Sequence, residues 1–329
     1  MRTRTFGTTD LQCSEIGFGT WALGSNWWGE VTSGQGENLI ARALDLGVTF
    51  FDTGDVYGKG ANEEIVGKAL ASVPRGAIQI STKFGYVLEG GRQEHSQGER
   101  PQDWAPAHVR SALEASLTRL GTDYVDLYQL HNPRMDAIER DDTFEELERL
   151  REEGKLRQYG VALGPAIGWR DEGLRALETR EIASLQTVYN LLEQEPGSDF
   201  LEAAERADAG VMARVPTSSG LLEDKYTPET TFSGSDHRRH RKREWLIDGL
   251  KKVEKLRFLV IEGERTMTQA ALKFILQQPG IACVVPTITT MAELEQFAGA
   301  SDAPDLSAEE LTRVQELYER DFELEPAGA

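Results

Sequence analysis

The fold of this chain is decided by the stretch FFDTGDVYG at positions 50–58. The apolar run from Val48 to Phe51 is typical of a buried strand, and it ends directly at Asp52. A glycine-containing turn follows and presents Tyr57 after that carboxylate. The pattern predicts a strand whose carboxyl end carries side chains that can take part in chemistry.

Two later strands end in the same way. The run at 78–82 stops at Lys83, and the run at 124–130 stops at His131. Segments with helical spacing separate these strands, which predicts a parallel α/β sheet. Because the carboxyl ends of parallel strands meet at one face, we expect the polar residues at these ends to share one pocket.

The residue types at these ends suit proton transfer. A tyrosine hydroxyl has an unperturbed pKa of about 10, and a nearby ammonium favours its ionised form. We therefore predict that Lys83 lowers the pKa of Tyr57. Asp52 would hold Lys83 charged and in place, and His131 would donate a hydrogen bond to a substrate oxygen.

Alternation of strands and helices continues along the chain, and no repeat or linker divides it, so we expect one domain over 1–329. A hairpin is predicted around 4–13. Further strands are predicted at 15–18, 156–162, 182–189, 210–215 and 282–285, and helices at 37–46, 62–70, 109–120, 144–150, 200–207, 244–260, 268–277 and 291–298. Asn62 is the expected N-cap of its helix, and Ser307 with Glu310 predicts a capping box for a final helix.

Composition limits the classes of function. The 329 residues are 39% hydrophobic and 28% charged, with no apolar run long enough to span a membrane and no signal-peptide core, so we expect a cytoplasmic protein. The net charge of −19 opposes general binding to nucleic acid or to anionic membranes. Cys13 and Cys283 lack the spacing of metal ligands, so no metal site is predicted. Both a monomer and a homo-oligomer are compatible with these features.

The ordered set of motifs closely resembles the aldo-keto reductase superfamily. It comprises GFGTW at 17–21, DxxxxYG at 52–58, STK at 81–83, LHNP at 130–133 and PTSSGLL at 216–222. The resemblance implies a (β/α)8 TIM barrel with an N-terminal β-hairpin and an extra C-terminal helix. It also implies hydride transfer between NADPH and a small-molecule carbonyl, with Tyr57 as general acid.

The same resemblance assigns roles to individual residues. The catalytic set is Asp52, Tyr57, Lys83 and His131. The cofactor-binding set is Gly19, Thr20, Trp21, Asp52, Gln186, Arg214, Pro216, Ser219, Gly220, Leu222 and Lys225. The aromatic residues of the loop after the first strand complete a substrate-binding set of Trp21, Trp27, Trp28, Tyr57, His131 and Asn132. Ordinary loop packing is the alternative interpretation for Trp27 and Trp28. The remaining histidines, His95, His108, His237 and His240, are interpreted as structural or solvated.

The cofactor positions depart from the family pattern at the last barrel strand. Thr289, Glu293 and Phe297 stand where relatives usually grip the 2′-phosphate and adenine, and no lysine or arginine occurs in 286–297. A carboxylate repels a phosphate. The basic run at 237–243 either supplies the missing phosphate contacts or is a solvated helix entry that balances an acidic protein.

Three functions remain open from the sequence. The first is an NADPH-dependent reductase of aldehydes or ketones. The second is a redox-neutral acid–base enzyme, such as an isomerase, lyase or hydrolase, on the same barrel with weakened cofactor binding. The third is a non-catalytic regulatory or binding subunit.

Overall fold

A computed structural model describes residues 1–25, 28–29, 31–88, 100–164, 169–232, 234 and 236–324. Trp27 and His95 therefore lie outside the described residues, as does most of the polar loop after the Lys83 strand. Within the described residues, no helix combines the length and apolar character that crossing a membrane requires.

Eight parallel strands form the central sheet, and each pairs with its neighbour in chain order. Two antiparallel strands precede them: β1 (Thr3–Thr5) and β2 (Gln12–Ser14). The sheet consists of β3 (Phe18–Gly19), β4 (Phe50–Asp52), β5 (Gln79–Phe84), β6 (Val125–His131), β7 (Leu156–Ala162), β8 (Ser184–Val188), β9 (Gly210–Arg214) and β10 (Ile281–Val285). The first and last strands meet through parallel bridges that join Ile16 to Val284 and Gly19 to Thr287. These bridges close the sheet, and the predicted (β/α)8 barrel is confirmed.

Helices cover the outside of the barrel. They are α1 (Ser33–Asp45), α2 (Ala61–Leu70), α3 (Pro106–Leu120), α4 (Met135–Ile138), α5 (Asp141–Glu152), α6 (Arg170–Thr179), α7 (Gly197–Arg206), α8 (Arg243–Lys255), α9 (Met267–Leu276), α10 (Met291–Gly299) and α11 (Ala308–Glu319). The sequence did not predict α4 or α6. The capping box at Ser307 and Glu310 is present at the start of α11, the extra C-terminal helix.

The predicted cap of α2 is wrong, because Gly60 occupies the N-cap position. Asn62 lies inside the first turn and is fully buried. Its amide donates to the carbonyl oxygens of Thr20 at 2.6 Å and Leu23 at 2.5 Å, so it ties α2 to the loop after β3. A sequence pattern cannot separate such a buried bridge from a cap, because both use the same side chain.

The N-terminal hairpin closes the amino end of the barrel. Phe6 and Leu11 pack in one buried cluster with Phe50, Leu127 and other inward-facing strand residues. Arg4 holds the hairpin in place through an ion pair to the buried Glu15 at 3.1 Å. The plug leaves the carboxyl end of the barrel as the face where a pocket forms.

Strand alternation decides which side chains reach that face. Successive residues of a strand point to opposite sides of the sheet. On β4, Phe50 packs with the inner cluster and Phe51 with the outer core, so Asp52 returns to the inside. On β6, Leu127 points inward and Tyr128 points outward. His131 lies four residues after Leu127, so it also points inward. On these strands, burial of the apolar residues near the amino end thus fixes the direction in which the polar residue at the carboxyl end points.

Candidate active site

A buried ion pair stands at the centre of the pocket. The Lys83 ammonium donates to Asp52 Oδ2 at 2.8 Å and to the carbonyl oxygen of Thr53. Two amide side chains also donate to the Asp52 carboxylate, Gln186 at 3.2 Å and Gln129 at 3.4 Å. Burial opposes the charged lysine, yet the charge of Asp52 and the neighbouring phenol raise the pKa of Lys83. The ammonium is therefore fixed in position and protonated.

Tyr57 lies over this pair. Its ring centre is 5.1 Å from the Lys83 ammonium and 5.7 Å from the centre of the His131 ring, which is perpendicular to it. The Trp21 ring flanks it at 6.4 Å. A Cβ atom on Gly54 would lie 3.3 Å from the Tyr57 ring, so the glycine lets the turn pass close beneath the phenol. The structure thus brings Asp52, Tyr57, Lys83 and His131 into one pocket.

The protonation of Tyr57 differs from the sequence expectation. Burial raises the pKa of Tyr57, and the field of Lys83 offsets only part of that effect. Lys83 lowers the pKa of Tyr57 as predicted, but the net pKa is raised, because desolvation disfavours the phenolate more than the ammonium favours it. The phenol is therefore neutral and keeps its proton.

His131 is also neutral. Burial, followed by the charges of Lys83 and Arg214, holds the pKa of His131 well below its usual range. Its Nδ1 atom is buried and has no hydrogen-bond partner in the described part of the chain. A neutral imidazole has one donor nitrogen and one acceptor nitrogen, so the ring retains capacity to bind a polar group in the pocket.

Sequence reasoning missed two residues that orient His131. The Tyr86 ring stands perpendicular to the imidazole at 5.1 Å, and the Tyr86 hydroxyl accepts from Asn132 Nδ2 at 2.8 Å. Gln102 donates to the carbonyl oxygens of His131 at 3.0 Å and of Asn132 at 3.1 Å. Tyr86 follows a strand end, which is a signal for a pocket residue, whereas Gln102 lies beyond a long loop and carries no such signal.

A second part of the site is a small cleft beside the pocket. It is lined by Trp28, Val215, Pro216, Thr217, Ser219, Glu223, Lys225, Arg238, Thr287, Thr289 and Glu293. The loop after β9 has left-handed backbone at Val215 (φ 55°), Ser218 (φ 48°), Ser219 (φ 57°) and Gly220 (φ 95°). A β-branched residue such as Val215 rarely adopts positive φ, and strain of this kind is concentrated at functional sites.

The predicted cofactor residues fall into distinct places. Pro216, Ser219 and Lys225 line the cleft. Arg214 donates to the Leu163 carbonyl oxygen at 2.9 Å, and its charge acts on Tyr57 and His131.

Other predicted cofactor residues lie away from the cleft surface. Thr20 is buried, and its hydroxyl donates to the Asp52 carbonyl oxygen at 2.9 Å. Gly19 pairs with β4, and a Cβ atom there would meet the Pro286 carbonyl oxygen at 2.6 Å. Leu222 is fully buried in the hydrophobic core, so its side chain does not face the cleft. Gly220 lies beneath Tyr226, whose hydroxyl leaves no room for a Cβ atom.

Only part of the basic run reaches the cleft. Arg238 lines it, and its guanidinium lies 4.8 Å from the centre of the Trp28 ring. Asp236 pairs with this guanidinium at 2.6 Å. The residues from Arg239 to Arg243 are exposed to solvent. Within the basic run at 237–243, Arg238 is therefore the remaining candidate for a phosphate contact. The exposed residues from Arg239 to Arg243 fit the interpretation of a solvated helix entry.

His237 packs against aromatic rings, whereas the sequence analysis interpreted it only as structural or solvated. Its ring centre lies 4.4 Å from that of Trp28 and 5.3 Å from that of Trp21. The two tryptophans themselves meet edge to face at 5.6 Å. The segment that carries His237 and Arg238 thus packs on Trp21 and Trp28, which lie between the pocket and the cleft.

The residues of the cleft fit the pyrophosphate of a dinucleotide. Lys225 and Arg238 are cations, and Thr217 and Ser219 supply hydroxyl groups. The indole Nε1–H of Trp28 is buried and finds no acceptor among the described residues. Phosphate oxygens accept hydrogen bonds from all of these groups. Groups of histidine, cysteine or acidic residues suited to a metal ion are absent from the described part of the chain.

Comparison with known proteins places the chain in a family. The family model described as "Aldo/keto reductase family" matches residues 15–319. The chain is 31% identical over 327 residues to the uncharacterised oxidoreductase YqkF of Bacillus subtilis, with 98% of both proteins covered. This protein belongs to the aldo/keto reductase family and is an oxidoreductase.

Solved structures share the barrel, and the relatives differ in the activity or cofactor that their names give. The glycerol dehydrogenase AKR11B4 from Gluconobacter oxydans superposes with a TM-score of 0.82 at 27% identity, covering 99% of this chain and 98% of that one. An aldo-keto reductase from Klebsiella pneumoniae in complex with NADPH has a TM-score of 0.70 at 26% identity, covering 97% and 96%. The NADH-specific methylglyoxal reductase of Escherichia coli is 29% identical over 331 residues, with 97% and 99% covered.

Proposed function

We propose that this protein reduces an aldehyde or ketone to the alcohol, with a nicotinamide dinucleotide as hydride donor and Tyr57 as general acid. The observation that carries the proposal is a neutral, buried phenol beside a fixed ammonium in one pocket. When bound, the reduced nicotinamide supplies a hydride to the carbonyl carbon.

The four pocket residues then have complementary roles. Tyr57 gives its proton to the carbonyl oxygen, and general acid catalysis of this kind contributes about 10²–10⁴-fold in rate. Lys83 stabilises the phenolate that remains, because its charge lies next to the ring. Asp52 keeps Lys83 in place. His131 donates a hydrogen bond to the same carbonyl oxygen and orients it.

The residues proposed to hold the cofactor form two groups, one at the nicotinamide and one at the pyrophosphate. Arg214 and Gln186 lie near the catalytic groups and would contact the nicotinamide, with Gly19, Thr20 and Trp21 at the same edge. Pro216, Ser219, Gly220 and Lys225 would surround the pyrophosphate together with Arg238. Relatives differ in cofactor, since one structure holds NADPH and one relative is named as NADH-specific. The resemblance favours NADPH, whereas the carboxylates of the cleft favour NADH.

The substrate would bind against aromatic side chains. The Trp21 ring flanks Tyr57, and the Tyr86 ring lies against His131. Trp28 packs edge to face on Trp21 and extends this surface. Asn132 follows His131 directly and adds a polar amide to this wall. Such a surface accommodates a small carbonyl compound with an apolar or ring-shaped body.

Cofactor titration and turnover together test this function. Purified protein is titrated with NADH and NADPH by fluorescence, and oxidation of the bound nicotinamide is then followed with a panel of aldehydes and ketones. We expect saturable binding, oxidation that depends on the carbonyl compound, and the alcohol as product. Turnover of a substrate without any nicotinamide would support the redox-neutral alternative. Binding of neither cofactor at millimolar concentration would reject the proposal.

A further inference from the structure

The cleft is formed where barrels often bind phosphate. Apart from Trp28, its lining comes from the segments after β9 and β10, the seventh and eighth strands of the barrel, and from the start of α10. In (β/α)8 barrels these loops and a helix N-terminus frequently hold a phosphate group, because free backbone N–H groups point into the site. The occupant of that N-terminus therefore decides which anions the cleft accepts.

In this chain the carboxylate of Glu293 occupies the N-terminus of α10. Glu293 Oε2 accepts hydrogen bonds from the backbone N–H of Thr289 at 2.9 Å, from the Thr289 hydroxyl at 2.6 Å and from the backbone N–H of Thr290 at 3.2 Å. The other carboxylate oxygen accepts from the Lys225 ammonium at 3.0 Å. Glu293 thus satisfies the donors that a phosphate would otherwise use.

The cations of the cleft are already paired. Lys225 contacts both Glu223 and Glu293, and Arg238 forms its ion pair with Asp236. Burial opposes ionisation of Glu293, yet Lys225 and the Thr289 donors hold the pKa of Glu293 below its usual value, so the group is charged at neutral pH. Two cations therefore face three carboxylates.

The segment around Glu293 offers no compensating charge. No lysine or arginine occurs in 286–297. Phe297 lies one turn further along α10, and its side chain is buried in the core, 1% exposed. A dianionic phosphate at this end of the cleft would meet a carboxylate without a free cation from the same segment.

We propose that Glu293 makes this protein select NADH over NADPH. Its carboxylate accepts a hydrogen bond from the 2′-hydroxyl of the adenosine ribose, which is a donor, and repels a 2′-phosphate, which carries charge of the same sign. Lys225 holds the carboxylate in place and faces the pyrophosphate. The inference rests on the proposed function only in requiring that a nicotinamide dinucleotide binds in this cleft.

Glu293 also has a structural role that the test must separate from selection. It forms a capping box with Thr290 at the start of α10. Glutamine keeps this cap, because its side-chain oxygen accepts the same backbone N–H, but it removes the charge. The matched control is Glu295→Gln, the same change two residues along α10, where the side chain is exposed and pairs with Arg42 at 2.9 Å.

The experiment measures dissociation constants of NADH and NADPH for the wild-type protein, Glu293→Gln and Glu295→Gln by fluorescence titration. We expect the wild type to bind NADH at least about tenfold more tightly than NADPH, a difference of the size that one charge contact gives. Glu293→Gln should reduce that ratio by about tenfold or more, chiefly by tightening NADPH. Glu295→Gln should keep the wild-type ratio.

Each result decides the inference. Wild-type binding of NADPH as tight as that of NADH would overturn it, and so would an unchanged ratio in Glu293→Gln. The wild-type comparison needs no variant, so it holds even where a substitution impairs folding. NADH-selective binding that depends on Glu293, without reduction of any carbonyl compound, would reject the proposed reaction and retain the selectivity. Binding of neither cofactor would overturn both.

Discussion

The Lys83 ammonium lies 5.1 Å from the centre of the Tyr57 ring while it donates to Asp52 at 2.8 Å. This arrangement gives the ammonium two partners of different kinds, the carboxylate of Asp52 and the neutral phenol of Tyr57. Because burial keeps the phenol neutral, the positive charge is available to stabilise the phenolate only as the proton leaves. The reduction that we propose depends on this relationship.

Removal of the Tyr57 hydroxyl should abolish most of the turnover. We expect Tyr57→Phe to lower kcat by about 10²–10⁴-fold, the usual contribution of a general acid, while its dissociation constant for the cofactor stays within a few-fold of wild type. Tyr128→Phe is the matched control, since that hydroxyl is buried outside the pocket and donates to the Val109 carbonyl oxygen at 3.2 Å. Near-normal turnover in Tyr57→Phe would remove Tyr57 from the mechanism.

Breaking the buried ion pair should destabilise the fold as well as the reaction. Lys83→Met leaves Asp52 buried without its counter-charge, which costs about 3–5 kcal/mol in the free energy of unfolding. Addition of Asp52→Asn should restore part of that stability and no activity. Urea denaturation followed by circular dichroism measures both effects. Lys68→Met, which removes the ion pair of an exposed lysine to Glu37, should change stability by at most about 1 kcal/mol. Equal losses in Lys83→Met and Lys68→Met would contradict the buried role.

The pH dependence of carbonyl reduction should be flat across neutrality. The raised pKa of Tyr57 keeps the acid protonated beyond its ordinary titration near pH 10, and the lowered pKa of His131 keeps the imidazole neutral below its ordinary titration near pH 6.5. We therefore expect kcat/KM to stay constant between about pH 6.5 and 9. Steady-state rates in a buffer of constant ionic strength test this. An inflection between pH 6 and 7 that disappears in His131→Gln would show a charged imidazole instead.

Asp55 should make stability decrease as the pH rises. Its carboxyl is buried, its Oδ1 has no partner among the described residues, and burial followed by the charge of Glu63 raises the pKa of Asp55 well above its usual value. Above the unfolded pKa of about 3.9 only the folded state keeps the proton, so this group loses about 1.4 kcal/mol of stability per pH unit until its folded pKa is passed. Asp55→Asn removes that dependence.

Chemical denaturation at pH 5, 6 and 7 measures this effect. The free energy of unfolding of Asp55→Asn relative to wild type should be larger at pH 7 than at pH 5, because titrations shared by the two proteins cancel. A difference that stays constant over the three pH values would show that Asp55 titrates normally.

Arg238 should contribute to cofactor binding more than the rest of the basic run. Arg238→Ala removes the one guanidinium of this run that lines the cleft, and we expect cofactor binding to weaken by about tenfold, with less dependence on salt concentration. Arg241→Ala removes an exposed guanidinium that lies over the Trp245 ring at 5.1 Å and serves as the matched control. Equal cofactor affinities in the two variants would show that the basic run, including Arg238, does not contact the cofactor.

Much of the barrel was predictable because each strand carries its own pattern. The strand at 156–162 was predicted with its observed bounds, and β9 and β10 differ from their predictions by one residue at one end. The helix α6 was missed, since Gly173 and the charged residues around it weaken the apolar periodicity of that segment. Asn62 was misassigned because its role depends on Thr20 and Leu23, about forty positions away.

What the sequence determined by itself is the set of residues at the mouth of the barrel. Strand alternation and the apolar plug turn Asp52, Lys83 and His131 inward wherever those strands form a parallel sheet. Only the tertiary structure decided that the Tyr57 phenol is neutral, because burial raises its pKa more than the Lys83 field lowers it. It also decided that Glu293 meets Lys225 across 68 positions. Such distances depend on how loops from separate strands pack together, and no local pattern records them.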